Sequence, residues 1–371
     1  MSDNPLRILQ LYPKEDYFTG AAIQLRDLVT GLATHGHDVT VATRASEIWA
    51  TKMRAAGVRH YAIPMASEVD LRSAARLARL IRRHRIQIVH AQKGKARTLA
   101  MIASLFVRLP VLILNRGVSF RLDPFNRLGY TTRRVTAIVA VCESIKQGLV
   151  KQGVDADKIE VIYSGTDTTK FHPGVDGSAV RRELALGPEH FLITQIGIRS
   201  WKGNDDVLDA MVTVKPQVPR ARLLFVGANE TKARALREKA SARGIADVVS
   251  VFLYREDIPE ILASSDVTVD ASYAGLGLTG TLRESLAVGT PVIGTDIEGN
   301  PEIVIHGETG LLVKPHDPTG IADALQALAA DPERGHAMGR AGQKLVEERF
   351  STAVKIERTE TLYRRLLAAR A

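Results

Sequence analysis

The chain has 371 residues, 45% of them hydrophobic and 25% charged, which predicts a globular protein of two ordinary domains rather than a disordered or fibrous one. No run of about eighteen apolar residues suggests a membrane span, and no basic start followed by an apolar core suggests a secretory signal. A single cysteine excludes an internal disulfide or a zinc-thiolate cluster, and the net charge of +9 comes with only 5% aromatics, too few for base stacking to be a main activity.

In chain order, apolar runs predict strands at 6–12, 38–43, 86–90, 110–114, 135–141 and 158–163. A second series falls at 190–197, 221–227, 247–253, 266–271, 291–295 and 310–313. Most are rich in Val, Ile and Leu rather than alternating, as befits parallel strands covered on both faces. Helical patterns lie between them, so each half reads as a doubly wound α/β domain. Gly165, Pro173, Gly174 and Gly177 cluster near the midpoint and place the boundary at 165–175. We assign 1–168 to a first domain and 169–350 to a second. Residues 351–371 form a separate C-terminal segment with a last helix at about 352–369.

The charge is uneven along the chain. Residues 1–168 carry 25 basic against 14 acidic residues, a net +11, and residues 169–371 carry 25 against 27, a net −2. Much of the excess lies in Leu71–Ile88, where apolar Leu71, Ala75, Leu77, Ala78, Leu80 and Ile81 are interleaved with arginines 72, 76, 79, 82, 83 and 85. Such a helix either lies on an anionic bilayer or packs on the core with a solvated basic face. No nucleic-acid-binding motif accompanies the charge, so nucleic acid is not an expected partner.

The segment richest in chemistry is Gly275–Glu302, which follows the strand-like Asp266–Ala271. Gly275, Gly277 and Gly280 open a helix carrying Glu284, and Gly289-Thr290-Pro291 ends it before the next strand. A glycine-rich strand-to-helix turn points backbone N–H groups at an anion, phosphate above all. Read literally, Gly275-x-Gly277-x-x-Gly280 with Asp296 further on is a dinucleotide fingerprint, and an NAD(P)-dependent oxidoreductase is one alternative. Glu284 opposes it, because that helix position wants a small residue and a carboxylate suits ribose hydroxyls better than phosphate.

The same segment resembles the C-terminal signature of family 4 retaining glycosyltransferases. Gly275-Leu276-Gly277-Leu278, Glu284-Ser285-Leu286-Ala287 and Gly289-Thr290-Pro291-Val292-Ile293 match its three parts, with Glu284 at the second family glutamate. Ala274 stands where the first glutamate belongs, and the spacing to Glu284 is about two residues longer than in the family. Other pieces follow in the family's order. They are Thr19-Gly20 after the strand-like Arg7–Tyr12, Gly36-His37-Asp38-Val39, Ile88-Val89-His90-Ala91, and Val141-Cys142-Glu143 with Cys142 in place of a serine. Next come Ser164-Gly165-Thr166-Asp167, Gly197-Ile198-Arg199-Ser200-Trp201-Lys202-Gly203, Gly299-Asn300-Pro301-Glu302 and Thr309-Gly310-Leu311.

The resemblance implies a GT-B fold, two Rossmann-like doubly wound domains facing across a crevice, the first for the acceptor and the second for a nucleotide sugar, with the C-terminal helix of 351–371 packing back on the first. It implies transfer of a sugar from a nucleotide diphosphate sugar, a UDP-sugar by default, to a glycan, glycolipid or lipopolysaccharide-type acceptor. No metal or other cofactor is expected, and the location would be cytoplasmic, peripheral to the membrane if the basic domain binds it. A non-catalytic GT-B-shaped partner protein is the other alternative, suggested by the missing glutamate. Arg199 and Lys202 are the cations expected at the leaving diphosphate. Gly20, Gly275, Gly277, Leu278, Thr279, Gly280 and Glu284 complete the expected donor site. Arg116 occupies the place where many relatives carry a functional histidine, with His90 as the other candidate there.

Overall fold

A computed structural model of the chain describes residues 4–109, 111–274 and 277–370, the side chain of Phe125 excepted. The chain divides into two compact units, Met1–Gly165 with Thr352–Ala371, and Thr166–Ser351.

The first unit is built from β1 (Arg7–Leu11), α1 (Gly20–Thr34), β2 (Asp38–Thr43), α2 (Glu47–Ala55), β3 (Arg59–Ala62), α3 (Leu71–Arg83), β4 (Ile88–Ala91), α4 (Gly94–Ala103), β5 (Val111–Arg116), α5 (Pro124–Thr131), β6 (Ala137–Ala140), α6 (Glu143–Val150) and β7 (Ile159–Val161). All its strand pairs are parallel, in the order β3-β2-β1-β4-β5-β6-β7. The order reverses between β1 and β4, and the carboxyl ends of strands at such a switch point open a crevice.

The second unit comprises α7 (Ser178–Glu183), β8 (Phe191–Ile196), α8 (Asn204–Gln217), β9 (Ala221–Ala228), α9 (Glu230–Ala242), β10 (Val249–Leu253), α10 (Ile258–Ser264), β11 (Val267–Asp270), α11 (Gly280–Ala287), β12 (Val292–Thr295), β13 (Gly310–Val313), α12 (Pro318–Ala330) and α13 (Pro332–Leu345). Its sheet is also parallel, ordered β10-β9-β8-β11-β12-β13, with the switch point between β8 and β11. Ile193, Phe225, Val267 and Ile293 are among the strand residues that fill its core. The final helix, α14 (Thr352–Ala368), belongs to the first unit and buries Ile356, Leu362 and Tyr363 in that unit's core.

The strand series read from sequence matches twelve of the thirteen strands among the described residues, within a few residues at each end. The exception is β3, whose residues Arg59-His60-Tyr61-Ala62 are exposed or half-buried, because an edge strand pairs on one side only and needs no apolar run. The basic segment also resolves: α3 runs Leu71–Arg83 and buries Ala74, Leu77, Ala78, Leu80 and Ile81 within its own unit. Its apolar stripe is therefore occupied by the core, and Leu71 at its start is exposed. What α3 presents to solvent is a basic face, not an apolar wedge for lipid.

Candidate functional site

The second unit's switch point is shaped first by its glycines. Past β8, Gly197 and Gly203 take positive φ angles of 94° and 61°, which only glycine adopts at little cost. A Cβ on Gly203 would stand 2.2 Å from the carbonyl oxygen of Ala271, so the loop 197–203 can lie against the end of β11 only with glycine there. Inside the loop, the fully buried Gln195 donates from Nε2 to the Lys202 carbonyl (2.7 Å) and accepts at Oε1 from Asn204 Nδ2 (3.0 Å). Asn204 also reaches the Gly197 carbonyl (3.3 Å). Both halves of the amide are satisfied, so the backbone around Lys202 is fixed.

The Lys202 side chain turns to the last residue of β11. Its Nζ lies 2.5 Å from Asp270 Oδ2, with 13% of the lysine side chain and 1% of the aspartate exposed. The other carboxylate oxygen accepts the Ser272 amide at 3.1 Å. Sequence reasoning included Asp270 in an apolar strand and gave it no role. The signal was there, a second acid next to the carboxyl end of DVTVDA.

From the same strand the chain leads to α11. Gly275 lies outside the described residues; Gly277, Leu278 and Thr279 are buried, and Gly280 begins the helix. Thr279 is the N-cap, yet its hydroxyl does not bond to the helix. It donates instead to Asn300 Oδ1 at 2.9 Å. The first-turn amides therefore receive no cap from Thr279, which leaves that capping role at the positive end of the helix to an anion. Glu284, half-buried one turn in, directs Oε1 back toward Gly280, where it would be 3.7 Å from an added Cβ. Its neighbour Arg283 is buried, donates to Thr166 Oγ1 at 3.0 Å, and is pushed down to about 10 by burial, an effect the Glu284 charge opposes.

Arg199 does not join Lys202 at Asp270. It is exposed, lies over the Trp201 ring at 5.7 Å, and lines a cavity of about 400 Å³ with Lys232, Lys239, Asp206, Tyr273 and His316. Lys232 Nζ donates to the Ile198 carbonyl (2.7 Å), Tyr273 OH to the Ser200 carbonyl (2.5 Å), and the Tyr273 and His316 rings pack 4.1 Å apart. Asp296, the acid of the dinucleotide reading, is exposed beyond β12.

In the first unit, Gly20 opens α1, with empty space where a Cβ would point. Thr19 caps that helix through Ala22 N, and its hydroxyl donates to Asp16 (2.9 Å). Arg116 ends β5 and donates to the carbonyl of Phe120 in its own loop, with its guanidinium 5.8 Å from the Tyr130 ring centroid. His90 is 2% exposed, and its Nδ1 meets the Tyr363 hydroxyl at 2.7 Å. Burial, with a smaller effect from the Lys355 charge, pushes His90 down to about 3, so it is neutral and enclosed. It serves as a core residue, unsuited to exchange protons with an acceptor. Among the described residues no group of three or more His, Cys, Asp or Glu is placed to hold a metal ion, and no helix is long and apolar enough to cross a membrane.

Comparison with known proteins supplies the context. Residues 18–170 match the glycosyltransferase family 4 model and residues 179–345 the glycosyl transferases group 1 model. The chain is 31% identical over 251 residues to an alpha-maltose-1-phosphate synthase of Mycolicibacterium smegmatis, covering 62% of this chain and 64% of that one. It is 26% identical to the N-acetyl-alpha-D-glucosaminyl L-malate synthase of Bacillus anthracis over 93% of each. It is 33% identical to a D-inositol 3-phosphate glycosyltransferase of Nocardia farcinica, of which it spans only 46%. Among solved structures, a glycosyltransferase from Rickettsia africae superposes with a TM-score of 0.89 at 20% identity, covering 98% of this chain and 99% of that one. Anabaena Alr3699/HepE, solved in complex with UDP and glucose, gives 0.82 at 20% identity over 96% and 99%. The two sheets are thus those of the GT-B fold, and the two family matches cover both units; the chain belongs to the family 4, group 1 glycosyltransferases.

Proposed function

We propose that the chain is a retaining glycosyltransferase moving a hexosyl or N-acetylhexosaminyl group from a nucleotide diphosphate sugar, a UDP-sugar by default, to a hydroxyl of a glycan, glycolipid or lipopolysaccharide-type acceptor. The observation that carries this reading is the pairing of Lys202, held at the end of β11, with the uncapped N-terminus of α11 that follows the same strand. A fixed ammonium and open helix amides stabilise charge as it builds on a leaving diphosphate. Glu284 one turn in suits the ribose hydroxyls. Arg199, at the rim of the neighbouring cavity, can add a second cation when donor is bound. The UDP and UDP-glucose complexes of Alr3699/HepE support a uridine donor.

The second unit binds the donor and the first the acceptor, with Gly20 at the diphosphate and Arg116 at the sugar or acceptor. Two relatives are named for small anionic acceptors, L-malate and D-inositol 3-phosphate, and the surplus of basic residues in 1–168 fits an anionic acceptor. The enclosure of His90 supports a front-face reaction without a side-chain base. The bond from the anomeric carbon to the phosphate oxygen breaks, its electron pair stays on the diphosphate, the acceptor oxygen bonds from the same face, and the acceptor proton passes to the leaving phosphate. No metal takes part, so activity should survive EDTA. The location is cytoplasmic and peripheral to an anionic membrane through the basic face of α3, which low-salt co-sedimentation with anionic vesicles tests.

The deciding experiment is thermal stabilisation by UDP, GDP, ADP, their sugars and NAD(P)H. Ligand at about a hundredfold its dissociation constant adds roughly 2.7 kcal/mol. A shift with one nucleoside diphosphate, lost in Glu284→Ala and Lys202→Ala, is the expected result and names the base. A shift with NAD(P)H alone would restore the dinucleotide reading. Binding without turnover on any acceptor would favour the non-catalytic partner.

A further inference from the structure

Buried polar groups run in series from the Lys202 loop to the start of α11. Asp270 Oδ1 accepts the Ser272 amide, and the Ser272 carbonyl accepts the Thr295 hydroxyl at 2.5 Å. Asn300 Nδ2 donates to the Thr295 carbonyl (3.1 Å) and lies 3.3 Å from its hydroxyl oxygen. Asn300 Oδ1 accepts the Thr279 hydroxyl. Asp270, Ser272, Thr295 and Asn300 are at most 1% exposed and Thr279 5%.

Two features of this series bear on an anion. A carboxylate as deeply buried as Asp270 is strongly disfavoured without its cation, so it holds the Lys202 ammonium at one place and leaves the remaining N–H donors for another acceptor. A threonine at an N-cap ordinarily bonds to the amide two or three residues on; Asn300 draws the Thr279 hydroxyl away from that task, and the α11 amides stay open.

Resting on the donor reading above, we propose that Asp270 and Asn300 are positioning residues for the donor diphosphate. Asp270 fixes the ammonium, Asn300 keeps the helix N-terminus uncapped, and the hydrogen bonds through Ser272 and Thr295 hold the two as one anion clamp. Neither residue touches the ligand.

The proposal makes a prediction opposite in sign to simple charge counting. Removing a carboxylate beside a phosphate site should strengthen phosphate binding by Coulomb's law; removing a positioning carboxylate should weaken it. The full-length chain is titrated calorimetrically with UDP, inorganic pyrophosphate and uridine. Asp270→Asn should weaken UDP and pyrophosphate by about tenfold or more and leave uridine within about twofold. Asn300→Ala frees Thr279 to cap α11 and should show the same phosphate-selective loss, and adding Thr279→Ala should restore part of it. Pyrophosphate binding that is unchanged or tighter in Asp270→Asn overturns the proposal, as does an equal loss for uridine in both variants, which would mark a structural role only. Should Asp270→Asn fail to fold, the Asn300→Ala and Thr279→Ala pair decides alone. A wild-type chain that binds none of UDP, GDP and ADP would refute the donor reading itself, an outcome distinct from loss of phosphate selectivity in the variants.

Discussion

Each unit carries a buried glutamine on the central strand of its switch point, and the two are used differently. Gln10 on β1 donates to the Tyr363 hydroxyl (2.8 Å) and accepts from Gln92 (2.7 Å), in a network with His90 that is closed by α14. Gln195 on β8 is equally buried and equally satisfied, but its partners are the Lys202 carbonyl and Asn204, and the loop it shapes carries a cation. The strand order around both is the same. Topology therefore provides the switch point twice, and side-chain partners decide whether its buried amide is tied to the last helix or to a loop that carries a cation.

The contrast can be broken most severely at Lys202. Lys202→Ala should cut turnover by about 10²–10³-fold and also destabilise the second unit by about 3–5 kcal/mol, since it strands Asp270. Adding Asp270→Ala should recover much of the stability, read by denaturant melts, and none of the turnover. Next in size, Glu284→Ala should weaken UDP by roughly ten- to a hundredfold, the worth of a hydrogen bond to a charged group, and should weaken uridine in parallel because its target is the ribose.

The glutamines themselves sharpen the comparison. Gln10→Leu and Gln195→Leu each leave buried polar groups unpaired and should each cost about 1–3 kcal/mol. Only Gln195→Leu should also weaken UDP in calorimetric titration; equal effects on UDP would dissolve the distinction between the two sites.

The effect with the least bearing on the ligand concerns acid. His90 titrates near 3 when folded and near 6.5 when unfolded, so between these values the unfolded chain binds a proton that the folded one does not. Stability should fall as pH drops through that window, by up to about 1.4 kcal/mol per pH unit from this residue. His90→Gln should flatten that acid limb in melts between pH 6.5 and 4 while leaving nucleotide affinity at pH 7.5 unchanged.

Strands buried on both faces betray themselves as apolar runs, so both sheets were readable, and the edge strand Arg59–Ala62 was not. The glycine-rich turn, Glu284 and Lys202 stand out in the sequence because backbone and charge requirements leave local marks. Arg199 was paired with Lys202 because both lie in the loop that resembles the family's and follow the same strand, yet a loop that turns at Gly197 and Gly203 sends the two side chains to different partners. Asp270, Asn300 and Gln195 went unassigned because their importance lies in contacts between segments distant in sequence, such as Thr279 with Asn300, which no local pattern encodes.

The last helix has a consequence for the order in which the protein can form. Gly31 on α1 leaves room for Ile356, whose Cδ1 would be 2.1 Å from an added Cβ, and Tyr363 is fully enclosed by residues from the start of the chain. Synthesis proceeds from the amino end, and domains fold as units as they emerge. The second unit is contiguous from Thr166 to Ser351 and can fold as soon as it clears the ribosome. The first unit, although begun earlier, must wait with Gln10 and His90 lacking their Tyr363 partner until Thr352–Ala371 has been made. Of the two units, the one begun first is thus the one completed second.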